Sequence, residues 1–156
     1  MEGTDFDPRE IAAHGIQLSG IEYINAIFAG ELPAPPISEL MGFRGVFAEP
    51  GRAVFEMEPG PQHYNPIGSV HGGVALTLLD SAMGCAVHTL LDAGVGYTTL
   101  ELKTNFVRPM TADTGLVRCE GVVIHQGSRI ATAEGKLTDA AGKLLAHGTT
   151  TCLIFR

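Results

Sequence analysis

The segment from about Gly73 to Leu91 constrains the fold most strongly, because it predicts a helix that is apolar on nearly every side. Such a helix must be buried over most of its surface. The chain then changes to four alternating segments separated by turn formers, a pattern typical of strands. These segments are 98–107, 115–124, 129–137 and 144–155. Because the turns between them are short, they indicate an antiparallel meander, and the order predicts one antiparallel sheet curled around one buried helix.

Two further regions precede this helix. Segments 42–48 and 52–58 flank a turn in which Pro50 and Gly51 suit the central positions of type II, so they predict a hairpin. Residues 8–29 can form an amphipathic helix, which is weakened by two internal glycines. The proline-rich stretch from Gly30 to Ser38 predicts a stiff linker that ends it. We therefore divide the chain into an N-terminal helix and linker (1–37) and a main domain (38–156).

Composition and charge exclude several classes of protein. A chain of 156 residues is long enough for one domain with a sizeable core, and no apolar run is long enough to span a bilayer. The N-terminus is acidic and lacks the basic start of a secretory signal, and the three cysteines are scattered without paired spacing. Both features suit a cytoplasmic protein. The formal charge of −7, without a basic cluster, argues against a nucleic-acid partner.

The central helix carries one exception to its apolar surface. Small or polar residues recur along it at intervals of three and four positions, which places them on a single stripe. The stripe consists of Gly73, Thr77, Asp80, Gly84 and His88. Another backbone or a ligand can approach such small residues closely. The stripe therefore predicts a narrow, partly wet cleft beside the helix.

The residues around Asp80 favour chemistry at this cleft. A lone carboxylate on a helix is more often a structural or solvated group. Here, however, His71-Gly72-Gly73 places unpaired backbone N–H groups at the helix start, where a developing oxyanion is stabilised. Gly72 and Asp80 are eight residues apart, or about 12 Å along the axis, so the two serve one reacting group only if the glycine turn folds back.

Three segments together resemble the PaaI-like acyl-CoA thioesterases of the hotdog fold. They read NPIGSVHGGVALTLLDSAMG, YTTLELKTNFVRP and HQGSRIATAEGKL, and the resemblance covers about residues 38–155. It implies an α+β fold in which a curved antiparallel sheet wraps around one long central helix, here with an extra N-terminal helix. It also implies hydrolysis of acyl-CoA thioesters to the free acid and coenzyme A, without a metal or cofactor.

The resemblance assigns roles to four positions. Asp80 matches the helix carboxylate that acts as general base or nucleophile, and the Gly72 N–H matches the donor that polarises the thioester carbonyl. Asn65 matches a loop amide that places the thioester or the water, and Thr99 a hydroxyl that orients the water. Strict alternation would put Thr98 in that place instead, unless a bulge turns Thr99 inward. Relatives join two sheets, which implies a homodimer with shared sites, here pairing into a homotetramer.

Further positions are expected to bind the substrate. Arg108 and Arg129 are the candidates for the coenzyme A phosphates, since relatives bind the nucleotide along these two segments, and Gly127 and Ser128 offer donors beside Arg129. The other expected substrate-binding residues are His71, Gly73, Phe106 and Gln126. His71 is better interpreted as a residue that pins its turn. Cys85 and His88 are spaced as a Cys–His pair would be, but without an orienting third group Cys85 is interpreted as a core residue.

Two other functions fit the same fold. One is a non-catalytic acyl-CoA-binding or sensor protein, which would be expected to carry a binding appendage, and residues 1–35 show no such element. The other is a hotdog dehydratase, which needs a histidine beside a carboxylate, whereas His88 lies too far from Asp80. Residues 1–35 are expected to pack outside the fold or over an oligomer edge, with an acyl-pocket lid as the alternative. The sequence does not identify which acyl group is preferred.

Overall fold

The computed structural model describes residues 8–155, and within that range six strands form one antiparallel sheet. The helices are α1 (Pro8–Gly15), α2 (Gly20–Phe28), α3 (Pro36–Met41) and α4 (Gly72–His88). The strands are β1 (Phe43–Glu49), β2 (Arg52–Met57), β3 (Gly96–Phe106), β4 (Val117–Gln126), β5 (Ile130–Asp139) and β6 (Leu144–Phe155). The predicted α+β architecture, a sheet wrapped around one long helix, is confirmed. In the described part of the chain, no helix is long and apolar enough to cross a membrane.

The strand order is β1-β2-β4-β5-β6-β3. Strands β4, β5 and β6 form the predicted meander, and β1 and β2 form the predicted hairpin, in which Gly51 has the positive φ of 81° that a type II turn requires. The expectation that all four later strands follow one another in the sheet was wrong. Strand β3 pairs with β6 instead of β4, so it lies at an edge of the sheet. The segment between β3 and β4 therefore crosses the sheet and is not a hairpin turn.

Helix α4 fills the concave side of the sheet. Its inward side chains are almost completely buried and form the core together with residues of β2, β4, β5 and β6. Two glycines that face each other on β4 and β5, Gly121 and Gly135, lie directly against the helix. A Cβ at Gly121 would overlap the Ala82 carbonyl group and reach the Met83 nitrogen at 2.6 Å. Glycine on the sheet is therefore what lets the helix backbone approach it.

The N-terminal region differs from the single helix predicted over residues 8–29. It forms two helices, because the chain turns between α1 and α2, where a capping box of Ser19 and Glu22 starts the second one. The short helix α3 was not predicted, and the proposed boundary at residues 37 and 38 falls inside it. Helix α2 packs on β1 and α4. The Gly20 N–H donates to the Leu91 carbonyl just beyond α4 at 2.9 Å, and the Phe28 ring meets the Phe55 ring of β2 edge to face.

Candidate active site

The carboxylate of Asp80 lies at an opening in the protein surface, and a neighbouring strand orients it. Asp80 is exposed, so the apolar helix does not bury the charge. The Thr99 hydroxyl on β3 donates a hydrogen bond of 2.8 Å to the Asp80 carboxylate. A hydrogen bond to an ionised acceptor fixes the carboxylate in one orientation. Thr99, not Thr98, is therefore the residue of this strand that contacts the candidate base.

A β-bulge explains why alternation alone pointed to Thr98. The register of β3 against β6 shifts between Thr99 and Glu101, which leaves Leu100 as the extra residue. Before the bulge, Thr99 pairs with the buried Cys152. After the bulge, Leu102 is the next residue of β3 whose side chain packs against the core. Leu100 is 55% exposed, so strict alternation through Leu102, which would have put Thr98 beside Asp80, does not hold across the bulge. The bulge turns the Thr99 hydroxyl toward α4.

The start of α4 presents one free backbone donor. His71 is the N-cap, and its Nδ1 atom accepts a hydrogen bond of 2.8 Å from the Gly73 N–H, so the imidazole pins the turn as the sequence favoured. The Gly73 N–H is therefore already bonded. The Gly72 N–H has no acceptor within residues 8–155. Gly72 thus offers a donor at the positive end of the helix dipole.

Gly72 lines a cavity of about 320 Å³ together with Asn65, Phe106 and Arg108. The Asn65 side-chain oxygen Oδ1 accepts from the Ile67 and Ser69 N–H groups, and its Nδ2 amide donates to the Ser69 hydroxyl at 3.0 Å. Asn65 therefore shapes the loop before α4, and its side chain points into that loop. The Phe106 ring lies beside Gly72, where an added Cβ would meet it at 3.1 Å.

The four residues predicted to be catalytic thus form two separate pairs within one chain. Asp80 and Thr99 line a different cavity, of about 430 Å³, from the one that contains Gly72 and Asn65. Every residue from Gly72 to Asp80 is helical, so the two, eight positions apart, stay about 12 Å apart along the axis. The glycine turn does not fold back toward Asp80 of its own chain.

The cavity beside Asp80 and Thr99 is also lined by residues that the sequence did not assign to the site. They include Tyr97 on β3, which lies against the stripe glycine Gly84, where an added Cβ would meet the Tyr97 hydroxyl at 2.7 Å. Gly84 was a usable signal, since a glycine in a buried helix leaves room for a large neighbour. Burial lowers the pKa of His88, so the imidazole that lines this cavity is neutral at pH 7. Burial raises the pKa of the Cys85 thiol to about 12, which removes it as a nucleophile.

The remaining predicted substrate residues lie at the opposite end of the sheet from Arg108. The turn formed by Gly127, Ser128 and Arg129 joins β4 to β5, and the Gln126 amide next to it donates to the Leu90 carbonyl beyond the end of α4. Arg108 instead donates to the Leu144 carbonyl at the start of β6. Ile130, next to the Arg129 turn, and Thr138, which pairs with Leu144, are eight positions apart on β5, or about 26 Å. One chain does not bring the two arginines together.

Comparison with known sequences identifies a family model and several relatives. A model of the thioesterase superfamily matches residues 67–146. Human acyl-coenzyme A thioesterase 13 is 31% identical over 104 residues, which are 66% of this chain and 73% of the human protein. The 1,4-dihydroxy-2-naphthoyl-CoA hydrolase of Listeria monocytogenes is 30% identical over 109 residues, which are 70% of this chain and 87% of the relative.

Solved structures show the same fold. A variant of the phenylacetic acid degradation protein PaaI from Thermus thermophilus superposes with a TM-score of 0.69 at 30% identity, covering 76% of this chain and 98% of PaaI. A phenylacetic acid degradation-related protein from Ralstonia eutropha superposes with a TM-score of 0.76 at 28% identity, covering 84% of this chain and 98% of that one. The similarity therefore extends over nearly the whole length of both neighbours.

Proposed function

Because the chain belongs to the thioesterase superfamily, we propose that it hydrolyses acyl-CoA thioesters to the free acid and coenzyme A. The observation that carries this proposal is the exposed Asp80 carboxylate, oriented by the Thr99 hydroxyl at 2.8 Å and open to a cavity of about 430 Å³. A carboxylate held in one position beside a substrate-sized cavity can serve as base or as nucleophile. The chemistry needs no metal or organic cofactor.

The reaction balances with the groups present. Asp80 takes a proton from water while the oxygen bonds to the thioester carbonyl carbon, or the carboxylate attacks that carbon itself and water hydrolyses the resulting anhydride. The carbonyl oxygen gains negative charge in either route, and a free N–H such as that of Gly72 stabilises it. In the first route the carbon–sulfur bond then breaks, and Asp80 passes its proton to the departing sulfur, so that coenzyme A leaves as the thiol. In the second route the carbon–sulfur bond breaks as the anhydride forms, and the coenzyme A thiolate takes its proton from water.

The donor in this scheme comes from a second copy of the chain. Strand β3 is an edge strand with one unpaired row of backbone groups, and two of its apolar residues, Leu100 and Phe106, are exposed. An exposed edge of this kind is a template for pairing with another strand. Two copies of β3 that pair antiparallel about a two-fold axis complete a continuous sheet and a homodimer.

The position of that two-fold axis follows from the two cavities, one beside Asp80 and one beside Gly72. Thr99 and Phe106 mark the two cavities and lie on the same strand. An axis midway between them sets Thr99 of one protomer beside Phe106 of the partner subunit. Asp80 then faces Gly72 and Asn65 of the partner subunit, so the distance of about 12 Å between Asp80 and Gly72 of one chain no longer keeps base and donor apart.

The same pairing supplies basic groups for the coenzyme A phosphates. Three arginines, Arg44, Arg52 and Arg118, are bonded to glutamates. Arg108 and Arg129 make no ion pair within residues 8–155, so their guanidinium groups are available to an anion. In the proposed dimer the Arg129 end of one sheet adjoins the Arg108 end of the other. Both arginines therefore serve one nucleotide only in the assembled protein.

A second apolar surface supports pairing of two dimers into a homotetramer. Several large apolar side chains are exposed on strands away from the β3 edge. They are Val46 and Phe47 on β1, Val122 and Ile124 on β4, and Ile130 on β5. Exposed apolar patches of this kind mark interaction surfaces. We infer that this outer surface of the sheet joins the dimers.

The test is a thiol-release assay with a panel of acyl-CoA substrates, comparing wild type with Asp80→Asn. Asparagine keeps the shape of the side chain but cannot act as a base, so kcat is expected to fall by roughly 10²- to 10⁴-fold. The matched control is Asp92→Asn, an exposed aspartate just beyond α4 that lines neither cavity. It should keep the wild-type rate.

Two results would contradict the proposal. Equal and very slow hydrolysis of the whole panel by wild type and Asp80→Asn, with binding retained, indicates an acyl-CoA-binding protein. Consumption of an enoyl or hydroxyacyl thioester without release of thiol indicates a dehydratase.

A further inference from the structure

Helix α2 forms one wall of the cavity that opens at Asp80. Four of its side chains line that cavity: Tyr23, Ile24, Ile27 and Phe28. The opposite wall consists of α4 residues from Asp80 to His88, with Tyr97 and Thr99 of β3 beside them. The expectation that the N-terminal region lies outside the fold therefore does not hold for α2.

Helix α2 is a fixed wall, because close backbone and ring contacts hold both of its ends. At its start, the Gly20 N–H donates to the Leu91 carbonyl, and Gly20 leaves no space for a Cβ against the His88 carbonyl. At its end, Phe28 packs against Phe55 with ring centroids 5.2 Å apart. Gly45 likewise leaves no space for a side chain beside the Phe28 ring. Contacts of this kind keep the helix docked whether or not a ligand is bound.

The end of the cavity away from Asp80 is lined by Tyr23 and His88, whereas Tyr97 lies between them and Asp80, beside Gly84. Tyr23 of α2 lies 5.6 Å from His88, and His88 lies 5.4 Å from Tyr97, measured between ring centroids. His88 is two helical turns from Asp80, which is about 12 Å along α4. The slot between the Asp80 carboxylate and the rings of Tyr23 and His88 therefore has a length of about 12 Å and mostly apolar walls.

We propose, on the basis of the function proposed above, that α2 sets the length of the acyl chain, with Tyr23 as the residue that ends the pocket. The thioester lies at Asp80 and Thr99, and the acyl chain extends along α4 toward Tyr23. An extended alkyl chain advances about 1.3 Å per carbon, given C–C bonds of about 1.5 Å, so a slot of about 12 Å takes roughly nine carbons. The substrate class is thus medium-length, unbranched acyl thioesters.

The experiment measures kcat/KM for straight-chain acyl-CoAs from two to sixteen carbons. For wild type, kcat/KM is expected to rise by about fourfold with each buried methylene up to about eight to ten carbons. Beyond that length it falls, because the chain meets the Tyr23 ring. Tyr23→Ala opens the end of the slot, so the maximum moves to longer chains and the rate with sixteen carbons rises by about tenfold or more.

A second enlarging variant and a control keep the test decisive. Ile27→Ala enlarges the cavity at another position of α2. It therefore tests the role of α2 in chain-length preference even if Tyr23→Ala loosens the packing of the helix. Asn25→Ala changes an exposed residue of α2 that does not line the cavity, and it should leave the chain-length profile unchanged. Thermal melting of each variant shows that α2 is still folded.

The outcomes separate this inference from the proposed function. Hydrolysis with a chain-length profile that neither Tyr23→Ala nor Ile27→Ala alters overturns the role of α2 and leaves the thioesterase intact. A wild-type maximum at two carbons, or no maximum up to sixteen carbons, overturns the medium-chain assignment. The absence of thiol release from every substrate overturns the proposed function itself.

Discussion

At the scale of single residues, the candidate base depends on one hydroxyl group. Asp80 has a fixed orientation because Thr99 donates to it, and Thr99 reaches it because Leu100 is an extra residue in β3. Thr99 acts through Asp80 and the attacking water, which makes it a positioning residue. Its contribution is therefore expected in kcat more than in KM.

Thr99→Val is expected to lower kcat by about ten- to a hundredfold, the effect of losing a hydrogen bond to a charged group. Valine has nearly the same shape, so KM and the melting temperature should change little. Thr99→Ser restores the hydroxyl and should recover most of the rate. Steady-state kinetics of both variants test this. A Thr99→Ser variant as slow as Thr99→Val would assign the loss to packing of the methyl group.

At the scale of elements, the fold depends on how closely α4 approaches the sheet. Gly121 and Gly135 face each other on β4 and β5, yet they meet different atoms of the helix. Gly121 lies against the backbone of Ala82 and Met83, which cannot move aside without moving α4. Gly135 lies against the ends of the Leu79 and Met83 side chains, which can change rotamer.

Gly121→Ala is therefore expected to destabilise the protein by about 3 kcal/mol or more, at the upper end of overpacking. Gly135→Ala adds the same methyl group to the paired position and should cost about 1 kcal/mol. Denaturant unfolding of the two variants measures the free energy of unfolding. Equal losses of unfolding free energy in the two variants would contradict this expectation, because they would show that the Leu79 and Met83 side chains resist the added methyl group as strongly as the helix backbone does.

At the scale of the whole molecule, the proposed site exists only when two chains pair along β3. Gly72 begins α4, where proline is tolerated, and the backbone of the preceding His71, with φ −60° and ψ 135°, suits a residue before proline. Gly72→Pro thus removes the N–H and keeps the helix. Gly72→Ala keeps the N–H and is the matched control for the added Cβ.

Mixing two inactive variants tests the shared site. Asp80→Asn and Gly72→Pro each impair every site of their own homodimers, but a mixed dimer contains one site with both groups intact. After unfolding and refolding together at equal amounts, the activity should recover to about a quarter of wild type by random pairing. Sedimentation of the same samples is expected to give the mass of four chains. A mixture no more active than its components would place Gly72 and Asp80 in the same protomer's site, or in none.

The sequence by itself determined the elements that local patterning controls. Apolar residues on nearly every side of α4 required burial, alternation marked the later strands, and Pro50-Gly51 defined the hairpin, because each signal lies within a few neighbouring residues. The stripe through Asp80 likewise follows from helical spacing alone. For the same reason, the carboxylate and the glycine turn could be identified from the order of the amino acids.

The tertiary structure decided what depends on residues far apart in the chain. The alternation of β3 does not predict which strand pairs with it. The bulge in β3 arises from its pairing with β6 and shifts the alternation by one residue, so the sequence could not decide whether Thr98 or Thr99 contacts Asp80. The packing of α2 on α4, which brings Tyr23 to the cavity, depends on contacts such as that of Gly20 with Leu91. Such contacts arise from three-dimensional packing, which a local sequence pattern does not predict.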